Sequence, residues 1–252
     1  MSSRIAVVTG STRGIGAATV ERLLADGFAV VGLDVLPAPE LSSSVPEYPE
    51  RFEHHVCDVS DEEGVARVFG ALRDRGDTVD VLVNVAGTVL VKPFLDTTWA
   101  DYRRTLDVNL GGSILACRHA IPLMGGGGAI INVASISGHI GQTQHAVYAA
   151  SKGAILSMTR CLAWELAPLG IRVNSVSPGS VDTAMLREDI RIEAERLGLP
   201  YEQVKADREA EQALKRWARP EEVAHAIAFL ASGNASFITG TDLLVDSGWV
   251  AK

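Results

Sequence analysis

The stretch IAVVTGSTRGIG, residues 5–16, decides the fold. Ile5–Val8 is an apolar run of the kind a fully buried strand needs. Gly10, Gly14 and Gly16 then allow a tight turn. Ala17, Val20, Leu23 and Leu24 follow at helical spacing, and Gly27 reads as the stop. Strand, glycine turn and helix together open a βαβ unit. A pyrophosphate suits that turn, because the backbone N–H groups are uncovered and the helix dipole favours an anion. Gly10, Thr12, Arg13, Gly14, Ile15 and Gly16 are therefore candidate cofactor contacts, with an ordinary turn as the plainer alternative.

The alternation continues along the chain. Ala29–Leu33, Phe52–Val59, Val79–Val85, Ala129–Val133, Ile171–Val176 and Leu243–Val245 are short apolar runs, separated mostly by helical periods. Ser60 with Glu63 reads as a capping box opening a helix around Val65–Leu72, and Thr98 with Asp101 as a weaker one opening a long helix towards Ile121. The pattern predicts an α/β fold: one Rossmann-type, doubly wound parallel sheet with helices on both faces, spanning residues 1–252 as a single domain. Ligands then belong beyond the C-terminal ends of the strands. Residues 36–51 carry four prolines and predict an exposed loop where a crossover helix would normally lie. The tetraglycine at 125–128 precedes a strand, so it reads as a connector and not as a phosphate cradle.

Composition narrows the function. Lys and Arg total 23 against 31 Asp and Glu, a net charge of −8, which argues against nucleic acid as a partner. No apolar run is long enough to span a membrane, and the N-terminus lacks the form of a signal peptide. Cys57, Cys117 and Cys161 are scattered through apolar stretches and suggest neither a disulfide framework nor a metal site. His54 and His55 are adjacent on a strand and face opposite ways, so they cannot chelate together. A soluble, cytoplasmic protein without a metal is expected.

Asp34 ends the second strand, about twenty residues past the glycines, where a carboxylate accepts from both ribose hydroxyls of an adenosine and repels a 2′-phosphate. Arg13 pulls towards a 2′-phosphate unless it is simply a solvated loop cation. The balance favours NAD, with NADP less favoured. Asp58, beside Val59 after the third strand, either accepts from the adenine amino group or caps the approach to the next helix.

Further residues give the pattern a family. Thr9–Gly16 matches TGxxxGxG; Asn84, Val85, Ala86 and Gly87 match NNAG with Val85 in place of the second Asn; and Tyr148 and Lys152 match YxxxK, with Ser135 thirteen residues upstream. Pro178, Gly179 and Thr183 match PGxxxT. Over essentially its whole length the chain resembles the short-chain dehydrogenase/reductase family. The resemblance implies a nicotinamide cofactor touched by Asn84, Ala86, Gly87, Pro178, Gly179, Val181 and Thr183, and by Val59 beside Asp58. It also implies that Asn109 holds a water linking Lys152 to bulk, and that such chains assemble as homotetramers or dimers.

The chemistry of the triad follows from its residue types. Tyr148 and Lys152 are four apart on a helix and share a face. Hydride transfer to a carbonyl leaves an alkoxide that needs a proton, and the reverse reaction needs a base. A free phenol, with a pKa of about 10, is too weakly acidic for that at neutral pH, and a nearby ammonium favours the phenolate. Lys152 is expected to tune Tyr148 and to bind the nicotinamide ribose, while Ser135 donates to the substrate oxygen. Residues 184–217 form a candidate lid over the substrate, or else an ordinary amphipathic surface pair. Of His139, Gln142 and His145, the last is the best candidate to line the pocket. Tyr201 and Lys205 repeat the Y-x-x-x-K spacing with Glu188 where the Ser should be, and are expected to be inert. The leading function is an NAD-dependent alcohol dehydrogenase or ketone reductase. Its rivals are an NADP-dependent 3-oxoacyl-type reductase and a catalytically idle NAD-binding regulator.

Overall fold

A computed structural model describes residues 4–37 and 49–251. Seven strands, all parallel, form one sheet: β1 (Ile5–Thr9), β2 (Ala29–Asp34), β3 (Phe52–Val56), β4 (Val79–Asn84), β5 (Gly128–Val133), β6 (Ile171–Pro178) and β7 (Asp242–Val245), in the order β3-β2-β1-β4-β5-β6-β7. The doubly wound parallel sheet read from the sequence is the observed one. The chain builds outward from β1 through β2 to β3, then returns to the other side of β1 at β4. This reversal opens a crevice at the C-terminal ends of β1 and β4.

Side-chain alternation along the strands feeds two cores. Ala6 and Val8 of β1 face one side, with Val30, Val83 and Ile131, and are covered by α1 (Gly14–Ala25) and α8 (Pro220–Ala231). Val7, Leu33, Leu82 and Ile130 face the other, under α2 (Glu62–Asp74), α4 (Gly112–Ala120) and α5 (Ala146–Leu166). Helices on both faces let the strands be apolar on both sides, which is why they read as continuous runs. Helix α1 ends where Gly27 N–H donates to Leu24 O and Phe28 N–H to Leu23 O, so Gly27 acts as the expected stop.

Three boundaries differ from expectation. The third strand stops at Val56, because the next residues turn inward to place Val59 against Gly112 on α4. Ser60 is not the cap of α2. Its hydroxyl bonds the Asp58 carboxylate at 2.7 Å, and Asp61 caps instead, accepting from Glu63 N–H at 3.2 Å. The helix opened by Thr98 does carry a full capping box with Asp101, but it is not continuous to Ile121. α3 (Trp99–Leu106) passes into α4 through a π-helical turn at Asp107–Gly111. Of the proline-rich segment 36–51, residues 38–48 lie outside the described residues, and Pro49–Arg51 is a short 3-10 turn. Cys57 and Cys117 are buried, but Cys161 is exposed. Among the described residues no helix is long and apolar enough to cross a membrane.

Candidate active site

Parallel pairing brings the predicted residues to one edge. Asp34, Asn84 and Pro178 end β2, β4 and β6, and Ser135 follows β5 by two residues. The buried Thr9 hydroxyl accepts from the N–H groups of Val85 and Ala86, each at 3.1 Å, and so ties the end of β1 to the segment after β4. Beside this tie, α1 starts with no side-chain cap and no acid in its first turn. Its N–H groups have no side-chain acceptor, which fits a pyrophosphate. Thr183 closes over the turn: a methyl built on Gly14 would meet its Cγ2 at 3.0 Å. Gly179 N–H donates to Val245 O, and Val181 bridges to Ala218, fixing that wall.

Asp34 is buried at the end of β2. Its Oδ2 accepts from Thr12 N–H at 3.0 Å and from the Thr12 hydroxyl at 2.8 Å, and its Oδ1 from Leu36 N–H at 3.1 Å. A carboxylate offers about four acceptor sites, so lone pairs remain for ribose hydroxyls. Arg13 is exposed and makes no ion pair among the described residues. Asp58 is exposed, and its Oδ1 accepts from both the N–H and the hydroxyl of Ser60, the capping arrangement of the two weighed.

Ser135 opens a 3-10 turn (Ile136–Gly138), with its oxygen accepting from Ser137 N–H at 3.1 Å. Its hydroxyl lies 3.2 Å from that of Ser137, which in turn donates to Gln142 Oε1. It also acts on the Tyr148 phenol, favouring its ionised form. Tyr148 and Lys152 rise from the first two turns of α5 on one face, as four-residue spacing requires. Lys152 is buried, its Nζ 5.9 Å from the centre of the Tyr148 ring and donating to Val133 O at 2.8 Å.

The expected lowering of the Tyr148 phenol by the Lys152 ammonium is not what the structure shows. Burial raises the phenol, the Ser135 hydrogen bond opposes this, and Asp189 raises it further. Among the described residues no anion pairs with Lys152, and burial pushes its pKa down from the ordinary 10.5 to about 8. Between about 8 and 10.5 the unfolded chain holds a proton that the folded chain has released, so stability rises with pH across that window. Lys152→Met is therefore expected to stabilise the fold at pH 7, by about 3 kcal/mol at most. The gain should shrink as the pH climbs towards 10.5. A thermal melt at pH 7 no higher than wild type would contradict this.

Asn109 sits in the π-helical turn, buried, and none of its hydrogen bonds reaches Lys152. Its amide accepts from Thr88 N–H at 2.7 Å and donates to Thr88 O at 2.9 Å and to the Ser151 hydroxyl at 3.0 Å. It thereby clamps the segment after β4 onto α5. Its Oδ1 and the Lys152 Nζ both flank Gly87, at 3.3 and 3.6 Å from where a Cβ would stand. His145 is buried at the N-terminus of α5, its ring 6.3 Å from the Tyr148 ring and edge-on to it. His139 instead bonds Asp242 at 2.8 Å and lies 3.3 Å from the Ser177 hydroxyl.

Residues 184–217 contain two helices, α6 (Ala184–Leu197) and α7 (Tyr201–Ala210), joined through Ile190, Ala194, Val204 and Trp217. Lys205 lies over Trp217, its Nζ 5.5 Å from the ring, and Tyr201 packs on the same cluster. Two features escaped the sequence reading. Ser137 carried a faint signal, two residues past Ser135. Asp189 carried none, lying within a charge-rich helix.

Residues 10–250 match the family model described as enoyl-(acyl carrier protein) reductase. The cis-4-hydroxycyclohexanecarboxylate dehydrogenase of Sinomonas cyclohexanicum is 41% identical, over 99% of this chain and 98% of its own. The meso-2,3-butanediol dehydrogenase of Serratia marcescens is 35% identical, over 99% and 96%. A crystal structure of a short chain dehydrogenase family protein from Francisella tularensis superposes with a TM-score of 0.92 at 28% identity, covering 100% of both chains.

Proposed function

The chain belongs to the short-chain dehydrogenase/reductase family, and from that premise we propose that it moves a hydride between NAD(H) and a secondary alcohol or its ketone, with Tyr148 as the acid/base. The observation that carries this is that the Ser135 hydroxyl acts on the Tyr148 phenol, with Lys152 buried 5.9 Å from the same ring. A bound nicotinamide dinucleotide supplies the hydride carrier and, when oxidised, a positive ring. Gly10, Gly14, Gly16 and the uncapped start of α1 hold its pyrophosphate, Asp34 its adenosine ribose, and Lys152 its nicotinamide ribose. Asn84, Ala86, Gly87, Pro178, Gly179, Val181 and Thr183 line its path, with Asp58 and Val59 at the adenine end.

In the oxidation direction Tyr148 takes the hydroxyl proton of the alcohol at its phenol oxygen; in reduction it returns that proton to the new oxygen. Ser135 donates to the same oxygen and fixes its position. Asn109 holds the Gly87 corner and α5 together beside Lys152, the place from which a water would connect that amine to solvent. The lid, residues 184–217, closes over the substrate and excludes water. The two relatives quoted act on secondary alcohols, one carrying a carboxylate and one a second hydroxyl. The same reading takes the chain as a cytoplasmic homotetramer or dimer. Trp164 on α5, 86% exposed, supports the assembly.

A panel of secondary alcohols and ketones with NAD and NADP, followed by NADH absorbance, tests the function. An idle NAD-binding regulator would bind NADH and turn over nothing. Asp34→Ala should cut kcat/KM with NAD relative to NADP by about tenfold or more, since it removes an acceptor for the ribose hydroxyls and the repulsion of a 2′-phosphate. A wild type that already prefers NADP would favour the 3-oxoacyl-type reductase instead.

A further inference from the structure

The turn that carries Ser135 is tied to the sheet by one side chain. The ladder between β5 and β6 ends at Val133 and Val176, and Ala134 N–H adds a bond to Val176 O at 2.8 Å. From Ser135 to Ile140 the backbone bonds close on the turn itself: Gly138 N–H donates to Ser135 O, and the N–H groups of His139 and Ile140 to Ile136 O. On one side the turn rests on α5, where a Cβ on Gly138 would stand 3.1 Å from both Gly153 N and the Lys152 carbonyl carbon. Past it, Gly141 has open space where a Cβ would be. Among the described residues, His139 alone of this turn hydrogen-bonds to the strands. Its Nε2 lies 2.8 Å from Asp242 Oδ2, at the start of the edge strand β7. A carboxylate only accepts, so the imidazole gives this bond whether the ring is neutral or charged. The other oxygen, Oδ1, accepts from the buried hydroxyls of Ser175 at 2.6 Å and Ser177 at 3.0 Å, both on β6. Asp242 is thereby fixed from β6 and holds the far end of the turn.

Resting on the reading of Ser135 as donor to the substrate oxygen, we propose that His139 is a positioning residue of the reaction: held by Asp242, it fixes the turn that sets the Ser135 hydroxyl. Ser135 Oγ takes its place from that turn, since it accepts from Ser137 N–H at 3.1 Å. A rotation of the turn moves the hydroxyl away from the oxygen it must meet, and small displacements of a reacting contact are costly in rate. Strands β5, β6 and β7 all take part: Ser135 follows the first, the two serines lie on the second and the carboxylate on the third. The glycine turn after β1 and Asp34 on β2 lie outside this set of bonds, so cofactor affinity should not depend on it.

The test is a double-mutant cycle with NAD and three alcohols: butan-2-ol, butane-2,3-diol and 3-hydroxybutyrate. His139→Leu should lower kcat by about tenfold on whichever is oxidised fastest, and leave NADH affinity, read by fluorescence, within about twofold. Asp242 keeps its two serine donors in that variant, so the fold should hold. His139→Gln, whose amide can give the same bond, should recover kcat to within about threefold of wild type. In a Ser135→Ala background, His139→Leu should change the remaining kcat by less than about twofold, because the group it positions is gone. An equal loss in both backgrounds, no recovery in His139→Gln, or an NADH affinity that falls with kcat overturns the proposal and leaves the dehydrogenase standing. A Ser135→Ala enzyme with wild-type kcat overturns the donor role of Ser135 and this proposal with it. Oxidation of none of the three alcohols by wild type overturns the dehydrogenase reading as well.

Discussion

Tyr148→Phe should lower kcat by about 10³–10⁴-fold while NADH still binds, as followed by its fluorescence. The substitution removes one oxygen and nothing else. The ring keeps its edge-on contact with His145, and α5 keeps its first turn. The proposed cofactor contacts at Gly10–Gly16 and Asp34 lie on other elements, so binding and chemistry should separate. Burial and the charge of Asp189 both hold the phenol protonated, and only Ser135 opposes them. Proton transfer therefore depends on the phenol hydroxyl, because the Ser135 hydroxyl is hydrogen-bonded within its own turn. A near-normal kcat would take Tyr148 out of the chemistry. Lost NADH binding together with lost turnover would instead make the ring a structural prop.

Much of this was legible in the sequence, for physical reasons that differ by element. A strand buried on both faces must be apolar throughout, so β1 and β4 announced themselves, and with them the crevice between them. Tyr148 and Lys152 share a helical face by spacing alone. What spacing could not give is where a long side chain ends. The Lys152 amine lies against the Val133 carbonyl because β5 passes beneath α5, a fact of tertiary packing. The π-helical turn at Asp107–Gly111 was invisible because such a turn carries no residue signature that separates it from the helix on either side. Asp189 was hidden differently. The apolar positions Leu186, Ile190 and Ala194 mark the face that packs on α7. They say nothing about which charge of the same helix acts on the Tyr148 phenol. Tyr201 and Lys205 show the converse, a spacing without a strand tip beside it, spent on packing and a contact with Trp217.

The first motif read is also the most exposed to test. Gly16→Ala should weaken NADH binding by about a hundredfold or more and abolish the rise in melting temperature that NADH gives the wild type. Local propensity argues the other way, since Ala is the better helix former by about 1 kcal/mol and Gly16 lies inside α1. Sterics decide. A Cβ on Gly16 would stand 1.8 Å from Gly10 O and 2.7 Å from the carbon behind it, backbone atoms that no rotamer change can move. Either the turn from Gly10 to Gly14 shifts or the start of α1 does, and both carry the N–H groups assigned to the pyrophosphate. Gly76→Ala makes the control. That residue has φ +75° and nothing within 4 Å of its Cβ position, so its cost is left-handed backbone strain alone. It should lower the melting temperature and leave NADH affinity unchanged. Equal NADH affinity in both variants would mean that the turn after β1 is only a turn, and that the cofactor is held elsewhere.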